Sequence, residues 1–283
     1  MKRMRFLVPV DFSPGSENAA KYAGSLASAS AASIVFLHVV TPPFDDDTFL
    51  AYDPEAVSRE AMSKLENWAE GIGTAFNLSY ECKIRVGGIT PEIQYLADTM
   101  NIDFIIMGTH GTTAIQKLLY GSHTTEVIEK APCPVLAIPE ETTFLPYRSI
   151  VYATDYQSSD ILALEKLALL AEVFGAAIDV VHIVEENESR ATELSIISYF
   201  DDLIKEHISY PNISCRVFRH DNISKGIERF TQSVGGDIVA LAMRKQGFLS
   251  KLIRGSITRE FVTRSRVPII AFHVHQTAEA GDF

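Results

Sequence analysis

Residues 6–40 read FLVPVDFSPGSENAAKYAGSLASASAASIVFLHVV, and residues 150–184 read IVYATDYQSSDILALEKLALLAEVFGAAIDVVHIV. At an offset of 144, Asp11 falls on Asp155, Phe12 on Tyr156, Ala19 on Ala163, Leu26 on Leu170 and His38 on His182. Each stretch opens and closes on an apolar, β-branched run. Between the runs, small apolar residues recur at helical spacing (Ala20, Ala23, Gly24, Ala27), so both stretches predict strand, helix, strand. Further along, the offset becomes 134, with Asp103 on Asp237, Lys117 on Lys251, Gly121-Ser122 on Gly255-Ser256 and Pro134 on Pro268. The second copy is therefore ten residues shorter between its second and third strands. The chain is a tandem duplication of one domain, and not an array. The polar seam Glu140–Tyr147 divides it into expected domains at 1–142 and 147–275.

In the first copy, strands are predicted near 5–10, 33–40, 79–86, 103–108 and 133–138, with helices near 15–30, 54–75, 90–100 and 121–130. Alternating βα units of this length predict an α/β fold, with a parallel sheet covered on both faces. Ligands of such sheets bind at the carboxyl ends of the strands, where the strand order reverses. The chemistry shows at one such end. Gly108-Thr-His-Gly111, nine further residues and Gly121-Ser122 follow the apolar run Phe104–Met107 directly. Glycines there admit close approach of a polyphosphate, and a helix starting near Ser122 offers unpaired N–H groups and a dipole favourable to anions.

Composition limits the alternatives. A hydrophobic content of 47% with 22% charged residues is that of a globular protein. No apolar run reaches the roughly 18–20 residues of a membrane helix. The net charge of −11, distributed as −8 over residues 1–145 and −3 over 146–283, argues against general nucleic-acid binding. The opening Met-Lys-Arg-Met-Arg runs straight into strand-like Phe6–Val10 without a signal-peptide pattern. Cys82, Cys133 and Cys215 form no CxxC pair, so reduced thiols in a cytoplasmic protein are expected.

Together, Val8-Pro-Val-Asp-Phe-Ser-Pro14, Leu37-His-Val-Val40, the 108–122 glycine spacing and Cys133-Pro-Val-Leu-Ala-Ile-Pro139 resemble the universal stress protein family. The resemblance covers both halves. It implies two tandem Rossmann-like domains (adenine nucleotide alpha hydrolase-like), each an open five-stranded parallel sheet of order 3-2-1-4-5. It also implies ATP with Mg²⁺ in the first domain. Asp11 and Val40 would then surround the nucleoside, Gly108, Gly111, Gly121, Ser122 and Thr124 the phosphates, and Pro9 would line the same cleft. By the same resemblance the two copies should pair as an intramolecular pseudo-dimer through their last strands, Cys133–Pro139 and Val267–His273, and a homodimer could follow.

The second copy departs from this pattern. Ala242 and Lys245 stand where Gly108 and Gly111 stand in the first, although Gly255-Ser256 survives. A side chain where backbone should meet phosphate crowds the path, so no nucleotide is expected there in the same pose. Seven basic residues and one acidic residue lie between Arg244 and Arg266. Lys245, Arg254, Gly255 and Ser256 could hold another anion, or the run could simply be a solvated helix face.

His38 and His182 recur in both copies and read as structural, while His110 and His123 read as loop residues beside the phosphate site. His273 and His275 alternate on the last strand without the further ligands that a metal site needs. No Walker lysine, GxSxG elbow or paired carboxylates appear, so any ATP hydrolysis should be slow. The leading reading is a stress-response protein that binds an adenine nucleotide as a regulatory ligand. Its rivals are a chaperone-like scaffold whose basic loop holds another anion, and a nucleotide-consuming transferase.

Overall fold

A computed structural model describes residues 3–42, 53–109, 122–185, 190–243 and 265–273. Contacts divide the chain into two compact units, Met1–Phe144 and Leu145–Phe283.

The first unit runs β1 (Arg5–Pro9), α1 (Pro14–Ser30), β2 (Ser33–Val40), α2 (Pro54–Phe76), β3 (Ser79–Val86), α3 (Ile89–Thr99), β4 (Phe104–Gly108), α4 (Ser122–Lys130) and β5 (Val135–Ile138). All its strand pairs are parallel and the order is β3-β2-β1-β4-β5, as the resemblance implies. β1 therefore lies between β2 and β4, with Phe6 opposite both Ile34 and Phe104. The strands are apolar on both faces, and Phe6, Leu7, Val35, Phe36 and Ile105 are fully buried. α1 buries Ala19, Ala20, Ala23, Gly24 and Ala27. Gly24 allows a close approach, since a Cβ there would lie 2.6 Å from the Phe76 ring.

Strand ends follow local chemistry. β5 starts at Val135, two residues later than the sequence suggests. Pro134 has no N–H to give, although its carbonyl still accepts from Ile105 N–H at 3.0 Å. After β5 the chain turns back on α1, where the Asn18 amide donates to the Pro139 and Thr142 carbonyls, both at 3.0 Å.

The second unit repeats the plan with β6 (Ser149–Ala153), α5 (Asp160–Phe174), β7 (Ala177–Val184), α6 (Arg190–His207), β8 (Ile213–Arg219), α7 (Ile223–Val234), β9 (Ile238–Met243) and β10 (Ile269–His273). Its order, β8-β7-β6-β9-β10, is the same 3-2-1-4-5 arrangement, again wholly parallel. No helix among the described residues is long and apolar enough to cross a membrane.

Candidate functional site

β1 leads into a tight turn before α1. Asp11 Oδ1 accepts from the Ser13 N–H at 3.0 Å and from the Ser13 hydroxyl at 2.5 Å. Ser13 Oγ in turn accepts from Ser16 N–H at 3.2 Å and caps α1. Between them, Phe12 has φ 61°, a left-handed conformation that costs a bulky side chain on the order of 1–2 kcal/mol. Ring contacts offset that cost. Phe12 lies 4.8 Å from His38 and edge-on to Trp68 at 6.1 Å, with Lys64 Nζ 4.1 Å above its face.

His38 Nδ1 sits 2.7 Å from the Val10 carbonyl oxygen. A carbonyl can only accept, so this nitrogen carries the proton and ties the end of β2 to that of β1. The arrangement recurs in the second unit, where Tyr156 has φ 55° and His182 Nδ1 lies 2.7 Å from the Thr154 carbonyl oxygen. Both histidines are thus structural.

The remaining proposed residues lie along the same carboxyl edge. Val40 ends β2, and its carbonyl accepts from Gly87 N–H at 3.0 Å. Gly108 ends β4, and its carbonyl accepts from the Thr124 hydroxyl at 2.8 Å. Pro9, Asp11, Val40 and Gly108 therefore come from three adjacent strands around the point where strand order reverses. Thr124 is buried, and its hydroxyl proton is committed to Gly108. It clamps α4 to the end of β4, and a direct bond to phosphate would require that clamp to open. Gly111 and Gly121 fall outside the described residues, as do Lys245, Arg254, Gly255 and Ser256. Ser122 opens α4.

His123 is not a loop residue, since it lies in the first turn of α4. Its Nδ1 is buried and lacks a hydrogen-bond partner, the one such side-chain atom among the described residues. Three residues on, Glu126 accepts from Lys130 Nζ at 2.7 Å and from the Thr90 hydroxyl at 2.8 Å. These bonds, Lys130's first, hold its carboxyl below the usual range, so it is committed to two donors and poorly placed to serve as a base. The N-terminus of α4 offers unpaired N–H groups of the kind that suit an anion. Asp11 adds an acceptor for the hydroxyl or amino groups of a nucleoside. Among the described residues, a helix start and a carboxylate thus lie at one strand edge, a combination compatible with a nucleotide.

The second unit answers the same positions differently. Ala242, at the place of Gly108, is fully buried in β9. Gln157 replaces the capping Ser13, and the turn is held instead by Asp160, at the place of Ser16. Asp160 accepts from Tyr152 OH at 2.7 Å, from the Thr154 hydroxyl and from Gln157 N–H at 3.1 Å. The last bond reaches back across the turn that precedes α5. Burial drives its carboxyl up to about 6 despite these donors. Little in the sequence marks this network, because two of its donors, Tyr152 and Thr154, stand eight and six residues before Asp160, at the end of β6 and just beyond it, and meet it only through the fold.

Comparison with known proteins places the chain among relatives. The sequence model of the universal stress protein family matches residues 2–139 and 146–273. A universal stress protein of Methanocaldococcus jannaschii is 26% identical over 164 residues, covering 49% of this chain and 96% of its own. One from Synechocystis is 30% identical over 135 residues, covering 47% and 83%. Among solved structures, a universal stress protein of Archaeoglobus fulgidus superimposes with a TM-score of 0.72 at 21% identity, covering 96% of this chain and 97% of its own.

Proposed function

Because the chain belongs to the universal stress protein family over both of its halves, we propose that residues 1–142 bind ATP as a regulatory ligand, with Mg²⁺ carried on the phosphates. The observation that supports this is the meeting of Pro9, Asp11, Val40 and Gly108 at one strand edge, beside the N-terminus of α4. Asp11 and Val40 would face the nucleoside. Gly108, Gly111, Gly121 and Ser122 would cradle the phosphates, with Thr124 as their clamp. Hydrolysis is at most slow, since Glu126 is engaged by Lys130 and Thr90. The ligand acts by changing the surface that the protein offers to partners under stress.

Residues 147–275 form the divergent copy in this reading and bind no nucleotide in that pose. The buried Ala242 favours this view. The basic residues Lys245 and Arg254, with Gly255-Ser256, are its candidate anion site, and a scaffold role is the alternative if neither half takes ATP. The duplication itself supports pairing of the copies as a pseudo-dimer. A cytoplasmic setting suits Cys82, Cys133 and Cys215, which form no CxxC pair.

The test is Gly121→Asp, which puts a carboxylate against the phosphates. A folded variant should lose Mg-ATP affinity by about a hundredfold or more, the scale of a close like-charge contact. A variant with an unchanged circular-dichroism melt and unchanged affinity would overturn the assignment.

A further inference from the structure

Among the described residues seven large hydrophobic side chains are exposed, and four of them belong to two neighbouring helices of the second unit, Leu162 and Leu169 on α5 and Leu194 and Tyr199 on α6. Leu162 and Leu169 are 55% and 52% exposed, although α5 already buries Ile161, Leu164, Leu167 and Leu170. A helix that is apolar on its outer face as well as its inner one marks a surface for a further partner.

The first unit treats the same positions differently. Asn18 and Ser25 stand where Leu162 and Leu169 stand in the second. The Asn18 amide holds the Pro139 and Thr142 carbonyls, and Tyr22, at the place of Lys166, is buried with the Phe144 ring edge-on at 5.2 Å. The chain after β5 thus covers this face of α1. On α5 the matching face presents Leu162, Glu165, Lys166 and Leu169, all exposed and at the i, i+3, i+4, i+7 spacing of one helix side. That order is its own complement. Two such helices laid antiparallel, with a two-fold axis passing between Glu165 and Lys166, set each Leu162 opposite a Leu169 and each Glu165 opposite a Lys166.

We propose that this face of α5 is a self-association surface whose partner is a second copy of the chain, bound through an antiparallel α5–α5 contact. The leucines supply affinity by burial. The crossed Glu165–Lys166 pairs set the register and reject a parallel arrangement, in which like charges would face each other. A single helix pair is smaller than a standard interface, so the association is weak and depends on concentration.

The experiment is sedimentation velocity of the full chain over a concentration series, at low ionic strength, where exposed charge pairs are least screened. Wild type should show a self-association step. Leu162→Asn/Leu169→Ser, which borrows the residues of the first copy, should raise the dissociation constant at least about tenfold with an unchanged circular-dichroism spectrum. Glu165→Lys and Lys166→Glu should each weaken association, because each sets like charges together twice across the axis. Mixed in equal amounts, these two variants should associate with each other, since both crossed pairs are then opposite in sign again. Wild type that stays monomeric at every concentration would overturn the proposal and leave the face to a different protein or to another part of this chain. Self-association that the leucine variant leaves unchanged would overturn it by placing the contact elsewhere. Charge variants that fail to recover on mixing would refute the antiparallel contact.

Discussion

Asp160 holds a carboxyl group in full burial where the first unit manages with two serine hydroxyls. Its carboxyl rises from 3.8 to about 6, with desolvation the largest cause. An acid raised in this way binds its proton more tightly folded than unfolded. Its contribution is fully present below about pH 4 and is lost as pH climbs through 6. The difference is on the order of 3 kcal/mol. Asp160→Asn has no charge to bury, so the stability of the variant relative to wild type should improve by up to that amount between pH 4 and pH 7. Calorimetric melts of both proteins at the two pH values read this directly. A stability difference independent of pH would show that Asp160 does not titrate in this range. Other groups at this scale are quieter. Burial raises the Cys82 and Cys215 thiols to about 11 and about 12, which keeps them protonated and poorly nucleophilic near neutrality.

At the scale of elements, the duplication supplies its own control. α1 ends at Ala31 with φ 53°, and α5 ends at the equivalent Gly175 with φ 66°. Both are left-handed caps whose N–H returns to the helix, to Ala27 and Ala171 carbonyls respectively. Glycine adopts this geometry without the Cβ penalty, while alanine pays on the order of 1 kcal/mol. Ala31→Gly should therefore stabilise the first unit by about 0.5 kcal/mol, after allowance for the freer unfolded chain. Urea unfolding would show the gain as a higher midpoint with an unchanged slope. The elements themselves were legible. Continuous Val/Ile/Leu/Phe runs such as Ser33–Val40 read as strands, and the spacing of Ala20, Ala23, Gly24 and Ala27 read as a helix. What escaped the reading was set by tertiary contact. Nothing in the local sequence marks Phe12 for φ 61°, because its ring contacts come from β2 and α2. Nor does the sequence reveal that the Thr124 hydroxyl turns back to Gly108. His123 was misread because the glycine pattern fixes where a loop closes, and not which side chains the following turn buries.

For the whole chain, the two units share a topology and differ at the same edge. The first has Gly108 at the end of β4, while the second has the buried Ala242 at that place and holds its turn through Asp160. The expected stoichiometry is one Mg-ATP per chain, read by calorimetric titration of nucleotide-stripped protein. Two sites would mean that the Ala242/Lys245 loop accommodates phosphate after all.

The chain has a single tryptophan, and it belongs to the first unit. Trp68 stands edge-on to Phe36 at 5.6 Å and to Phe12 at 6.1 Å, one residue from Asp11. Indole emission is therefore an optical signal from one half of the molecule only, whereas far-ultraviolet dichroism sums over both. Denaturation curves recorded by the two methods will superimpose if the halves melt as one cooperative body. They will separate if the duplicated halves have become thermodynamically independent, and the displacement between the curves then ranks which half gives way first.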